Sequence, residues 1–290
     1  MTASSLQQGK TVADPAVAGS SDSPDVPVLD LFSLSGKAII VTGGARGLGL
    51  CIATALLEAS AAHVYCCDVL SHPNSEEWAK AKQVAQRFGG EISYLQLNIT
   101  NAEMVNGTVE RIYEESKNEV YGLFAAAGIQ QMTAALDYTP EDFRRIMDVN
   151  VTGTWFTIQA VARQMQKRKI AGSIAIVASM SGTIANKGLT CLAYNTSKAA
   201  LLQMCRSAAA EWGKFGIRVN TLSPGYIRTA MTDMLLAERP DLEEEWLRGS
   251  MLDRLSTPDE FRGPVLYLLS KASSFMTGAD LIVDGGHTAY

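Results

Sequence analysis

The chain offers no apolar run long enough to cross a bilayer. Its longest ones are strand-like, such as Ile174 to Ala178, far short of the roughly 20 residues a span needs. It also lacks a basic stripe. The net charge is −5 and Lys and Arg do not cluster, so the electrostatic footprint of a nucleic-acid partner is missing. The five cysteines, Cys51, Cys66, Cys67, Cys191 and Cys205, are odd in number and show no metal-ligand spacing, so no metal site is expected. Cys66 and Cys67 sit in an apolar run, where a thiol behaves as a small hydrophobe. A reduced, cytoplasmic setting is the simplest expectation. The N-terminus shows no basic start leading into an apolar stretch, so no secretory signal is visible.

What is present is an α/β pattern. With 290 residues, 47% of them apolar, the chain can bury a sizeable core. Residues 1–28 are rich in Ser, Ala, Pro, Asp and Gly without hydrophobic period, and are expected to form a disordered tail. Residues 29–290 form the expected single domain. Within it, short β-branched runs alternate with helix-length segments: Ala38–Thr42, His63–Cys67, Ile92–Leu97, Gly122–Ala126, Gly172–Ala178, Ile217–Leu222 and Leu281–Val283. Strand–helix repetition of this kind implies a doubly wound, Rossmann-type parallel sheet of seven strands with helices on both faces.

The first run leads directly into Thr42-Gly43-Gly44-Ala45-Arg46-Gly47-Leu48-Gly49 and then a helix. A glycine-rich turn at a helix N-terminus presents free backbone N–H groups and the positive end of the helix dipole, a natural cradle for a diphosphate. Gly43 suits the tight turn, Gly47 the approach of a ligand to the backbone, and Gly49 close packing of helix on strand. Asp68 closes the second strand 19 residues past Gly49. A carboxylate there can accept hydrogen bonds from the adenosine ribose hydroxyls and repel a 2′-phosphate, which favours NAD. Arg46 is the counter-argument, since a cation before the second glycine can neutralise that phosphate and serve NADP.

Tyr194 and Lys198 stand four residues apart in Tyr194-Asn195-Thr196-Ser197-Lys198, on one helical face and one turn apart. Tyrosine titrates near 10, so working as a base at neutral pH takes about 4 kcal/mol of phenolate stabilisation. A unit cation about 4 Å away at an effective dielectric near 20 supplies roughly that. The pair is therefore expected to form an acid/base, with the tyrosine pKa lowered. Ser181, 13 residues before Tyr194, follows the fifth strand and can hold and polarise a substrate oxygen; Ser179 is the alternative. Asn150 falls within a long helical stretch despite being a mediocre helix former.

The T-G-x-x-x-G-x-G spacing of residues 42–49, the Tyr194/Lys198 pair, Ser181 and Asn150 resemble the short-chain dehydrogenase/reductase family in type and in order, over about residues 36–290. The resemblance implies an NAD(P)(H)-dependent oxidoreductase that interconverts a secondary alcohol and a ketone, with Asn150, Ser181, Tyr194 and Lys198 as its catalytic set. It implies that Asn150 lies in a distorted helix and helps hold a water linking Lys198 to solvent. It places the adenine beside Asn98 and Ile99, where Asn stands for the family's usual acid. It aligns Ala125-Ala126-Ala127-Gly128 with the family's N-N-A-G, so that Ala126 and Gly128 pass close to the cofactor, Leu48 contacts it from the glycine loop, and two sheet-bracing amides are lost. Pro224-Gly225 through Ile227 to Thr229 resembles the segment that holds the nicotinamide carboxamide.

Substrate specificity is expected in the loops at the carboxyl ends of the strands: Thr183–Leu192 and a lid over about 226–254, with Asn186, Tyr226, Arg228 and Met231 as contacts beside Ser181. In the lid, Met231, Met234, Leu235 and Leu236 either line a pocket or pack the helix on the body. The stretch Ala178 to Asn186 and the ending Asp284-Gly285-Gly286-His287-Thr288 resemble a subgroup containing mannitol 2-dehydrogenases, arabinitol dehydrogenases and sorbose and L-xylulose reductases, which implies a polyol/ketose substrate. A ketoreductase acting on a bulkier substrate is the alternative. A non-catalytic dinucleotide sensor is disfavoured because such proteins tend to lose the Tyr and Lys. Trp155, Phe156, Leu201, Met204 and Trp212 lie beyond one core stripe, and the family pairs these helices across two-fold axes, so a homodimer or homotetramer is expected, with no nucleic-acid or membrane partner.

Overall fold

A computed structural model describes residues 26–290 other than 230, 231, 234, 235, 238 and 239. Residues 1–25 of the expected tail, and Met231, Met234 and Leu235 of the expected lid, lie outside the described residues. The seven strands are β1 (Lys37–Thr42), β2 (His63–Asp68), β3 (Glu91–Gln96), β4 (Glu119–Ala125), β5 (Ser173–Val177), β6 (Arg218–Pro224) and β7 (Asp280–Val283). They pair in parallel throughout, in the order β3-β2-β1-β4-β5-β6-β7. The helices that matter below are α1 (Gly47–Glu58), α2 (Ser75–Phe88), α3 (Ala102–Glu115), α4 (Pro140–Met147), α5 (Thr154–Arg168), α6 (Leu192–Trp212), α7 (Pro240–Gly249) and α8 (Arg262–Leu269).

The apolar strands follow from burial on both faces. Along β1, Ala38 and Ile40 join a core with Ile158 of α5 and Leu201 of α6, while Ile39 and Val41 join a second core with Leu50 of α1 and Leu268 of α8. Successive side chains point to opposite faces, which also explains the adjacent cysteines of β2. Cys66 packs into the second core and Cys67 into the first, and burial pushes the Cys67 thiol up to about 12. All five cysteines are free.

The N-terminal segment already touches the turn Lys271–Ser273 through Val28–Phe32, and Leu34 is its first fully buried residue. Val28–Phe32 makes one short helical turn with no buried residue, whereas Leu34 is 1% exposed and its N–H donates to the Ala59 carbonyl at 2.9 Å.

The chain winds outward from β1 in both directions, to β2 and β3 on one side and to β4 on the other. Between strands that diverge in this way a crevice opens at their carboxyl ends, where open α/β sheets bind ligands. In register, Thr42 of β1 lies beside Cys67 of β2 and Ala125 of β4, so three strand exits frame one site.

Candidate active site

The crevice is a cleft of about 610 Å³, lined at one end by Arg46, Asp68 and Asn98 and at the other by Gly128, Val149 and Thr229. Gly43, Gly47, Leu48, Gly49, Ile99 and Ala126 line it between. Its volume falls within the range of small-molecule sites. The glycines behave as three different constraints. Gly43 has φ +70, and a Cβ on it would stand 2.9 Å from the backbone of Ala126 and Ala127. A Cβ on Gly49 would fall on the Gly43 carbonyl oxygen. Gly47 has φ +57 but faces open space. Loop, helix and strand exit are thus pressed together under an open backbone, a cradle that fits a diphosphate.

At the β2 exit the Asp68 carboxylate accepts from Ala45 N at 3.2 Å and from Leu70 N at 3.2 Å. Arg46 is exposed and takes part in no ion pair among the described residues. Asn98 lies two residues past the end of β3 rather than at it. Its side-chain oxygen accepts from Thr100 N at 3.0 Å and Thr100 Oγ1 at 2.9 Å, so it shapes the turn as well as the cleft wall. Ile99 is 7% exposed and packs where a Cβ on Gly153 would stand. The alanines at the β4 exit keep a tie to β1. Ala126 N donates to the Thr42 carbonyl at 3.2 Å and Ala127 N to Thr42 Oγ1 at 3.4 Å, so Thr42 supplies part of the bracing that the missing amides take away.

Between α4 and α5 the helix widens into a π-turn over Asp148–Gly153. π-turns are rare and cluster at functional positions. This one turns Asn150 inward to 1% exposure. Its Nδ2 donates to the Ile129 carbonyl and to Ser197 Oγ, both at 2.9 Å, and its Oδ1 accepts from Ile129 N at 2.8 Å. Asn150 thereby ties the loop after β4 to α6. Sequence reasoning missed Ser197, whose hydroxyl also donates to the Tyr194 carbonyl at 2.7 Å; a serine between two marked residues carries no separate signal.

Lys198 is 5% exposed. Its ammonium donates to the Val177 carbonyl at 2.8 Å and lies 5.5 Å from the centre of the Tyr194 ring. A Cβ on Gly128 would be 3.2 Å from Asn150 Oδ1 and 3.7 Å from Lys198 Nζ. Both side chains therefore flank a glycine that lines the cleft. Burial lowers the Lys198 pKa from 10.5 to about 8.

One expectation is corrected here. Burial raises the Tyr194 phenol above its ordinary value of 10, against a smaller lowering by a hydrogen bond with Ser179. The enclosure that brings the ammonium close also strips water from a phenolate, and desolvation prevails. Of the two candidate serines, Ser179 is the one whose hydroxyl pulls the phenol's pKa down. Ser179 comes two residues after β5 and caps the short turn Met180–Gly182, its Oγ accepting from Ser181 N at 3.1 Å.

On the substrate side, Asn186 is 5% exposed and donates from Nδ2 to the Tyr226 hydroxyl at 3.2 Å. The Tyr226 ring stacks on Trp246 of α7 at 4.3 Å and meets His287 edge-on at 5.4 Å. Leu236, Leu242, Trp246 and Leu255 form a small core of their own with Leu189 and Tyr226, so Leu236 packs the lid on the body. Trp246 was not singled out from the sequence, since one aromatic in a charged helix reads as packing. Arg228 is not free for a substrate. Its guanidinium pairs with Asp233 at 2.8 Å and Glu243 at 3.2 Å. Pro224, Gly225 and Ile227 serve the frame: a Cβ on Gly225 would meet Asp284 at 2.7 Å, and Ile227 bridges to Ser256 and packs on the second core.

A family model described as enoyl-(acyl carrier protein) reductase matches residues 43–288. A short-chain dehydrogenase/reductase of Aspergillus versicolor is 45% identical over 271 residues, 92% of each chain. The D-arabinitol 2-dehydrogenase (ribulose-forming) of Candida tropicalis is 36% identical, covering 91% of this chain and 96% of its own. Among solved structures, the NADPH-dependent 3-quinuclidinone reductase from Rhodotorula rubra superposes with a TM-score of 0.83 at 33% identity, over 94% of this chain and 99% of its own.

Proposed function

The chain belongs to the short-chain dehydrogenase/reductase family and is an NAD(P)-dependent oxidoreductase interconverting an alcohol and a ketone; from that premise we propose that Tyr194 is its acid/base, with Ser179 and Lys198 beside it, and that it acts on a polyol/ketose pair. The observation that carries the catalytic assignment is the meeting of three side chains at one rim of the cleft. Ser179 pulls down the pKa of the Tyr194 phenol, and Lys198 sits under the same ring while flanking Gly128.

The glycine loop and the α1 N-terminus hold the dinucleotide's diphosphate, Asp68 its adenosine ribose, and Thr229 and Gly128 line its far end. The bound nicotinamide supplies the acceptor or donor of a hydride. Tyr194 Oη takes the substrate's hydroxyl proton in oxidation and gives it back in reduction. Ser179 Oγ steadies the same substrate oxygen. Lys198, fixed by the Val177 carbonyl, keeps a positive charge near the phenol. Asn150 holds the loop after β4 against α6 and so keeps Lys198 and the cleft wall in register.

The serine assignment gives a direct contrast. Ser179→Ala is expected to lower kcat about 100-fold, while Ser181→Ala stays within about fivefold of wild type. Steady-state rates and melting temperatures of both variants check this, and equal losses would return Ser181 to the centre.

The two shifted groups set a pH dependence. A phenol raised above 10 keeps its proton at neutral pH, so reduction proceeds without waiting for protonation. Oxidation needs the phenolate, and kcat/KM for the alcohol should climb several-fold per pH unit. Lys198 loses its charge above about 8, so reduction is expected to be flat below that and to fall beyond it. Profiles measured in both directions test the assignment; an oxidation rate that declines as the pH rises toward 8, where Lys198 is still charged, would contradict it.

The polyol reading is supported by the similarity to D-arabinitol 2-dehydrogenase. A second reading, reduction of a bulkier ketone, is favoured by the aromatic wall of Tyr226 and Trp246 and by the similarity to the quinuclidinone reductase. Following reduced nicotinamide with pentitols, hexitols, ketoses and bicyclic ketones, against NAD and NADP, separates them. Turnover of ketones without any polyol or ketose would overturn the first reading. A homo-oligomer and a cytoplasmic location complete the proposal. Trp155 and Trp212 stack on one another with centroids 6.3 Å apart and remain half-buried, whereas Leu201 is core, so the tryptophan pair offers one apolar surface to a second copy. No helix among the described residues is long and apolar enough to cross a membrane.

A further inference from the structure

We propose that Glu77 is a second acidic determinant of cofactor choice, acting with Asp68 to exclude an adenosine 2′-phosphate. The inference rests on the dinucleotide reading of the cleft. Glu77 lies in the first turn of α2, remote in sequence from the glycine loop, yet its carboxylate accepts a hydrogen bond from Gly47 N at 3.3 Å. It lines the same end of the cleft as Arg46 and Asp68. Its position is fixed from two sides. Asn74 Oδ1 caps α2 by accepting from Glu77 N at 3.1 Å, and Asn74 N donates to the Ala45 carbonyl at 2.9 Å. The start of α2 is thereby fastened to the loop, and the side chain has only to reach across.

The charges at this rim decide the sign. Glu76 is taken up by Lys80 at 2.7 Å, an ammonium that also attracts Glu77 from outside the cleft, while on the cleft wall itself Asp68 and Glu77 stand with one cation, Arg46. A ribose hydroxyl can donate to a carboxylate, whereas a phosphate on that hydroxyl cannot and adds further negative charge. With two acids against one guanidinium, Arg46 cannot offset both. Removing its charge should favour the phosphorylated ligand by about tenfold, the effect of one unit charge roughly 6 Å away at an effective dielectric near 40.

The test compares wild type, Glu77→Gln and Asp68→Asn by calorimetric binding of adenosine 5′-monophosphate and adenosine 2′,5′-bisphosphate, which differ by the one phosphate. Glu77→Gln should bind the bisphosphate about tenfold more tightly and the monophosphate within about twofold of wild type, with the gap narrowing as salt rises. The NADP-to-NAD ratio of kcat/KM should move in the same direction. An unchanged bisphosphate affinity, or equal tightening of both nucleotides, would overturn the role of Glu77 while leaving the dinucleotide site intact. Failure of wild type to bind either nucleotide or either dinucleotide would remove the cofactor reading, and this inference with it.

Discussion

Tyr194→Phe is expected to lower kcat by about 10³-fold or more, the upper range for loss of a positioned acid/base, with the fold preserved. The reasoning is local. Phenylalanine fills the same volume, the side chain that pulls the phenol's pKa down is Ser179, and Lys198 keeps its anchor on the Val177 carbonyl. Dinucleotide affinity should therefore remain near wild type and the melting temperature should move by no more than a few degrees. Turnover, calorimetric binding and a thermal melt on one preparation separate chemistry from folding. Undiminished turnover in a folded variant would dismiss the tyrosine as the proton carrier.

The second large effect is expected at Gly49. A valine there would drive its Cβ onto the Gly43 carbonyl oxygen, and Gly43 cannot retreat because its own α-carbon already faces the Ala126–Ala127 backbone. Backbone meets backbone, with no flexible side chain to yield. Overpacking of this kind costs about 3 kcal/mol, which for a domain of this size lowers the melting temperature by roughly 6–12 °C. The loop that should cradle the diphosphate would be displaced as well, so dinucleotide affinity should fall by about 100-fold or more. Gly47→Ala is the contrast. It meets no atom, and only its left-handed backbone opposes a side chain, at about 1–2 kcal/mol. If Gly49→Val melts and binds like Gly47→Ala, the close packing of loop on helix is not what the glycine provides.

Much of this was legible in the chain because parallel strands buried on two faces must be short and apolar, and because the phosphate loop needs glycines at particular places. All seven strands fall where the β-branched runs lie, with ends displaced by a few residues at most. The site was legible where chemistry is periodic. Tyr194 and Lys198 share a helical face whatever lies around them. It was less legible where a loop of free length intervenes, as between Tyr194 and the two serines Ser179 and Ser181. Nor could a count of charges reveal that Arg228 is consumed by Asp233 and Glu243, or that Glu77 reaches back to the glycine loop. Such pairings depend on how α2 and α7 dock, and docking is a tertiary fact. The tyrosine pKa failed for a related reason. An argument from the lysine charge alone omits the loss of water around the phenolate, and burial of the pair sets that loss.

The position of β1 inside the sheet, between β2 and β4, has a consequence for birth of the chain on the ribosome. Its partners are β2, made soon afterwards, and β4, whose residues 119–125 emerge only after β3 and α3. Until then one flank of the oldest strand carries unpaired amides and carbonyls beside Ile39 and Val41, the kind of edge that invites pairing with a neighbouring nascent chain. Translation speed across β2 to β4 therefore sets how long that hazard lasts.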